Sequence, residues 1–174
     1  MEKITLWFYR LTSPHIELLL IAATCLFLFL RRRLENRRLW KAAAAMLLLC
    51  WSLAVTSQTV LFRPSGPRRP PVLIPLGSYL ELFRGANREI LRSNLMNALL
   101  FYPGGLLAGS LLPRRAGNSR TILILAAFAL FSLGIELTQY YAGLGLMEAD
   151  DILHNSLGAF CGLLLAHPIR RKAQ

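Results

Sequence analysis

Stretches of this chain apolar enough to cross a bilayer carry carboxylate and amide side chains within them: Asn97, Glu136, Gln139, Asp151 and Asn155. That conflict restricts the fold more than any other feature. In hydrocarbon there is no water to satisfy a polar group, so such residues are retained only where they satisfy one another or perform a task. Glu136-x-x-Gln139 and Asp151-x-x-x-Asn155 each set their members on one helical face, because residues three or four apart lie within about 60° on a 3.6-residue turn. The expectation is a bundle whose polar faces converge on a shared pocket.

Apolar runs at 14–30, 39–62, 95–112, 121–141 and 151–166 predict an all-α integral membrane bundle of about five transmembrane helices. A mean hydropathy of +0.45 and 55% hydrophobic residues over 174 positions agree with that class. Ser13 is suited to cap the first run and Pro14 to open it, with Trp7, Phe8 and Tyr9 at the membrane interface. The run ends at Arg31-Arg32-Arg33 and not at a small-residue cleavage site, so it reads as a retained anchor. Four regions follow: residues 1–62 with two helices, a Pro-rich loop and amphipathic helix at 63–94, a motif-bearing region at 72–166, and a basic tail at 167–174. Within 63–94, the amphipathic helix is expected near 78–91, with Tyr79, Leu82, Phe83 and Ile90 on its apolar side.

The net charge of +11 does not point to nucleic acid. The basic residues sit at the ends of apolar runs, at Arg31 to Arg33, Arg37, Arg38 and Lys41, at Arg114, Arg115 and Arg120, and at Arg170, Arg171 and Lys172. That is the distribution that sets membrane topology, and it predicts an outer N-terminus and an inner C-terminus. The segment 63–94 is the exception, carrying six arginines on the predicted outer side. Cys25, Cys50 and Cys161 are far apart and lack metal-ligand spacing, so they read as reduced thiols in the core or facing lipid.

On this topology Asn97, Glu136, Gln139, Glu148, Asp151 and Asn155 all fall toward the outer side, joined by Thr56, Ser57, Gln58 and Thr59. Glu136 is the binding carboxylate of first choice, and Gln139 and Asn155 are suited to bridge helices because an amide both donates and accepts. Asp150 reads as an N-terminal cap of the last helix. Arg84, Arg88 and Arg92 are candidates to hold an anionic headgroup. Gly105, Gly158 and Gly162, with Gly104 and Gly109, suit close helix contacts, and Pro103 should kink its helix. His154 stands near the acids without a recognised metal motif, so neither a metal nor another cofactor is expected. No hydroxyl or thiol has a visible base partner for covalent catalysis.

Three blocks carry a resemblance. Asn97-Ala-Leu-Leu-Phe-Tyr-Pro103-Gly-Gly105, Ser132-Leu-Gly-Ile-Glu136-Leu-Thr-Gln139 and Glu148-Ala-Asp-Asp151-Ile-Leu-His-Asn155-Ser-Leu-Gly158-Ala-Phe-Cys-Gly162 are similar in order and spacing to the VanZ-like family of bacterial membrane proteins. Ile74-Pro75-Leu76 resembles that family's upstream Pro-centred motif. The resemblance implies a small polytopic protein of the cytoplasmic membrane, in a family whose best-known member lowers susceptibility to the lipid-tailed glycopeptide teicoplanin. Two departures stand out: Glu148 replaces the usual Asp, and Leu146-Met147 stands where many members have an Arg. A missing cation there leaves Glu148 and Asp151 less neutralised.

The leading functional expectation is recognition of a membrane lipid, lipid-linked envelope molecule or lipoglycopeptide at the outer leaflet. The alternatives are an enzyme or transporter acting on a lipid-linked precursor through Glu136 and Asp151, and a non-catalytic assembly subunit. Whether any reaction is catalysed stays open on sequence grounds.

Overall fold

The computed structural model describes residues 21–29, 36–85, 89–113 and 117–171. Within them the chain is helical, without a strand: α1 (21–29), α2 (Arg37–Thr56), α3 (Gly77–Phe83), α4 (Glu89–Leu111), α5 (Asn118–Ala142) and α6 (Ala149–Arg171). A π-helical turn, Ser57–Leu61, extends α2. Trp7, Phe8, Tyr9, Ser13, Pro14, Arg31 to Arg33, Arg88, Arg114, Arg115 and Lys172 lie outside the described residues. So do the side chains of Arg37, Arg170 and Arg171.

Local signals account for the boundaries. Asn36 caps α2, its Oδ1 accepting from the backbone N–H groups of Arg38 and Leu39 at 3.0 and 3.3 Å. Gly143 ends α5 in the left-handed region, φ 66°, where a side chain would be strained and would also collide with the Gly66 carbonyl. The amphipathic helix expected near 78–91 is instead divided. α3 has seven residues and stops at Phe83, Gly85 adopts φ 91°, and α4 starts at Glu89. A left-handed glycine ends the α ladder, so the apolar periodicity through this segment belongs to two helices and not one.

Small residues draw α4 and α6 into the most intimate pairing of the bundle. A Cβ on Gly105 would strike the Ala159 backbone, one on Gly158 the Ala98 carbonyl, and one on Gly162 the Tyr102 carbonyl. Backbones at such a separation exclude any side chain between them. Pro103 lies buried inside α4. On the other side of α4, Trp51 of α2 covers Gly104, donates through Nε1 to the Leu100 carbonyl at 2.8 Å, and meets Phe101 and Phe128 edge-on. One aromatic residue thus ties α2, α4 and α5 together. Phe27 of α1 stacks on Trp40 of α2 at 4.2 Å.

The outer faces are apolar. Leu39, Met46, Leu49 and Leu53 of α2, Ile122, Leu123 and Leu130 of α5, and Leu157, Leu164 and Leu165 of α6 are exposed, whereas Glu136, Gln139, His154 and Asn155 are buried. Among the described residues two helical stretches, Arg38–Leu61 and Asn118–Ala142, are long and apolar enough to cross a membrane. α4 and α6 have 23 residues each, roughly 35 Å at 1.5 Å per residue. Their load of Glu89, Arg92, Asn94 and Asn97, or of Asp150, Asp151, His154 and Asn155, keeps them outside that apolar class.

Candidate functional site

Polar side chains from α4, α5 and α6 meet at the end of the bundle where α6 begins. Asn97 Nδ2 donates to Asp151 Oδ1 at 2.7 Å, joining α4 to α6. Glu136, 3% exposed, accepts at Oε2 from the Glu148 backbone N–H at 3.1 Å, joining α5 to the turn before α6. One turn deeper, Asn155 Nδ2 donates to Ser132 Oγ at 2.8 Å. Asp151 lies close enough to Glu136 to act on it electrostatically, and Glu148 acts on both. An acidic cluster in a low-dielectric interior is costly without a counter-charge.

The counter-charge is Arg63. Its guanidinium acts on Glu136, Glu148 and Asp151 and packs over Gly145, where a Cβ would come within 3.0 Å of it. The cation absent from 146–147 in sequence is therefore supplied from the end of the π-helical turn. Glu148 and Asp151, expected to be less neutralised for want of that cation, thus have a partial substitute in Arg63. Arg63 does not balance three acids, however. Burial, together with Asp150 and Glu81, pushes the Glu148 carboxyl above the ordinary carboxylate range, and Arg63 only partly opposes that shift.

Gln139 serves a different part of the same wall. Its Nε2 donates to the Thr59 carbonyl at 3.0 Å. That carbonyl is available because the chain leaves the helix at Phe62 and Pro64 has no N–H to offer it. The Thr56, Ser57 and Thr59 hydroxyls bond carbonyls of their own helix, so they do not join the acid cluster through those bonds.

Asp150 caps, but not the helix expected. Its Oδ1 accepts from the Leu76 N–H, and its Oδ2 accepts from the Ser78 N–H at 2.8 Å and from the Ser78 hydroxyl. The carboxylate thereby closes the start of α3, where Leu76 is held at φ 61°, a conformation that non-glycine residues avoid. Asn94 Nδ2 donates to Ser78 Oγ at 2.9 Å. Backbone pairing fixes the same segment, with Val72 N–H to the Met147 carbonyl and Ala149 N–H to the Val72 carbonyl, both 2.9 Å. Segment 72–78 is thus fastened along the turn whose Glu148 N–H holds Glu136.

His154 is occupied on both ring nitrogens. Nδ1 faces the Asp150 carbonyl at 2.6 Å, so it carries the proton, and Nε2 accepts from the Tyr79 hydroxyl at 2.8 Å. Among the described residues no group of three His, Cys, Asp or Glu side chains is arranged to hold a metal ion. Arg84 and Arg92 are exposed, Arg92 lying 3.8 Å from Glu89. Neither contributes a hydrogen bond to the acid cluster in this structure. Arg63, Ser78, Asn94 and Ser132 are polar members not expected here from sequence, and Tyr79, expected on the apolar side of the amphipathic helix, is another. Two had a local signal: Ser132 is one turn before Glu136, and Asn94 lies three residues before Asn97 on the same face.

A family model described as VanZ/LLP1 matches residues 39–170, which include every member of the cluster. Comparisons with curated proteins and with solved structures give no match.

Proposed function

The chain belongs to the VanZ/LLP1 family, and we propose that it is a multi-pass protein of the bacterial cytoplasmic membrane that recognises an amphiphile headgroup at the outer leaflet. The amphiphile is a lipid, a lipid-linked envelope molecule or a lipoglycopeptide of the teicoplanin type. In this reading α1, α2, α4, α5 and α6 are the five spans, with the N-terminus outside and the C-terminus inside. The exposed leucines of α2, α5 and α6, with Glu136, Gln139, His154 and Asn155 buried between helices, support immersion in lipid, because a water-soluble bundle would place those groups the other way round.

The observation that carries the proposal is that, among the described residues, three acids, Glu136, Glu148 and Asp151, share one nearby base, Arg63. Three acids around one base exceed what interhelical glue requires. Lipid profiling by native mass spectrometry of the gently extracted protein tests it. Wild type should hold one envelope lipid class that the Glu136→Gln/Asp151→Asn variant loses; identical lipid profiles would leave the cluster a structural core. Teicoplanin susceptibility of a host with and without the gene, expression verified, tests the antibiotic link, and an unchanged inhibitory concentration removes it.

The apposed Glu136 and Asp151 also favour a second reading, acid–base or proton-carrying chemistry on a lipid-linked precursor. Function preserved in Glu136→Gln and Asp151→Asn, but lost with folding in the leucine variants, would eliminate it.

A further inference from the structure

The acceptors in the α5–α6 seam identify the kind of headgroup that fits. Glu136 uses one carboxylate oxygen on the Glu148 N–H, and Asp151 uses one on Asn97 Nδ2. Asn155 is 5% exposed, and its Oδ1 is buried without a hydrogen-bond donor among the described residues, although its Nδ2 is bonded to Ser132. The Asn155 amide lies between the same two helices, one turn after Asp151 on α6 and bonded to the residue one turn before Glu136 on α5. A buried acceptor without a donor costs roughly 1–3 kcal/mol, so its persistence calls for a donor from outside the chain.

From this juxtaposition we propose that the seam binds a primary ammonium group carried by an amphiphile, with Glu136, Asp151 and Asn155 Oδ1 as its three acceptors. A primary ammonium offers three N–H donors and one positive charge, which matches both the acceptor count and the excess of acid. Arg63, at the Gly145 side of the cluster, suits an anionic group on the same headgroup, such as the phosphate of an ethanolamine phospholipid. A quaternary ammonium has the charge without the donors and cannot satisfy Asn155.

This inference rests on the headgroup-recognition reading, and the test separates the two. The full-length protein is equilibrated with equimolar ethanolamine, N-methyl-ethanolamine, choline and glycerol phospholipids of identical acyl chains, and bound lipid is read by native mass spectrometry. A parallel competition uses ethylamine, which carries the ammonium without lipid or phosphate. Ethanolamine lipid should be retained at least about tenfold over choline lipid, since choline lacks all three N–H donors and loss of even one charge-assisted hydrogen bond is worth about that ratio. N-methylation should lower retention stepwise. Asn155→Leu, close in shape, and Glu136→Gln/Asp151→Asn should bring the ratio toward one, and ethylamine should displace the lipid. Equal retention of ethanolamine and choline lipids by wild type overturns the ammonium assignment and needs no variant to fold. If glycerol phospholipid is preferred and lost in Arg63→Gln, headgroup recognition stands and the ammonium assignment falls. No preference in any arm overturns both.

Discussion

Asp150 and Asp151 are neighbours in the chain and opposites in their surroundings. Asp150 accepts two backbone N–H groups and a hydroxyl, and the serine it binds is held in turn by Asn94. Asp151 accepts one amide N–H and looks onto Glu136 and Glu148, with Arg63 opposing. Successive residues on a helix point about 100° apart, so one turn of α6 presents two chemically different sites. One carboxylate is saturated by the protein and fastens segment 72–78; the other is left with capacity. A saturated charge is structural glue, while an unsaturated one in a buried seam is where a ligand gains most.

The contrast is broken most directly at Asp150. Asp150→Ala leaves two N–H groups and the Ser78 hydroxyl without their acceptor and removes the hold on Leu76, so it should cost about 3 kcal/mol of unfolding stability. Thermal or denaturant unfolding in detergent, followed by tryptophan fluorescence, reads the loss. A change below about 1 kcal/mol would mean that the latch does not hold the segment. Arg63→Gln comes next, with an expected loss of about 2 kcal/mol because it removes a half-buried counter-charge of the acids. Arg84→Gln, at an exposed position beside Phe83, should change stability by less than about 0.5 kcal/mol. Equal effects of the two arginine variants would place Arg63 among ordinary surface charges. Asp151→Asn sharpens the comparison: it keeps the shape and removes one like charge, so stability should stay within about 1 kcal/mol of wild type or rise. A loss as large as that of Asp150→Ala would show both aspartates to be structural.

The helices were legible because apolar run length and caps are local properties: the run expected over 39–62 appears as Arg37–Thr56 with its π-helical turn, and that over 121–141 as Asn118–Ala142. The i, i+4 spacing also set Asp151 and Asn155 on one face of α6, where they bond Asn97 of α4 and Ser132 of α5, whereas Gln139, three residues after Glu136, bonds the Thr59 carbonyl instead. What lay beyond sequence was the long-range partner. Arg63 read as one of six arginines in the exceptional segment 63–94, because nothing local tells that the chain bends at Phe62 and Pro64 to set it over Gly145. Asp150 read as a cap for its own helix because capping residues usually serve the element they begin, whereas its partners are 72 and 74 residues away. The break between α3 and α4 was obscured by an apolar period running through it, although Gly85 is the residue that permits the left-handed step.

Glu148 gives the smallest and most selective test, since it stands in the turn just before the saturated and unsaturated aspartates. Its carboxyl titrates above its ordinary value of 4.5 because burial disfavours the anion, with Asp150 and Glu81 adding to the shift. A raised carboxyl pKa means that the folded state holds the proton more tightly than the unfolded chain does. The stabilising contribution is therefore present below about pH 4.5 and is lost as pH rises through the folded-state value. Glu148→Gln keeps the backbone N–H that holds Glu136 and removes the titration, so it should flatten this part of the stability profile while leaving the acid-side stability in place. Unfolding midpoints measured between about pH 4 and 8 provide the comparison. A slope unchanged by the substitution would move the pH dependence from the turn into the acid cluster, and the division between a saturated latch and an unsaturated site would then have to be drawn without Glu148.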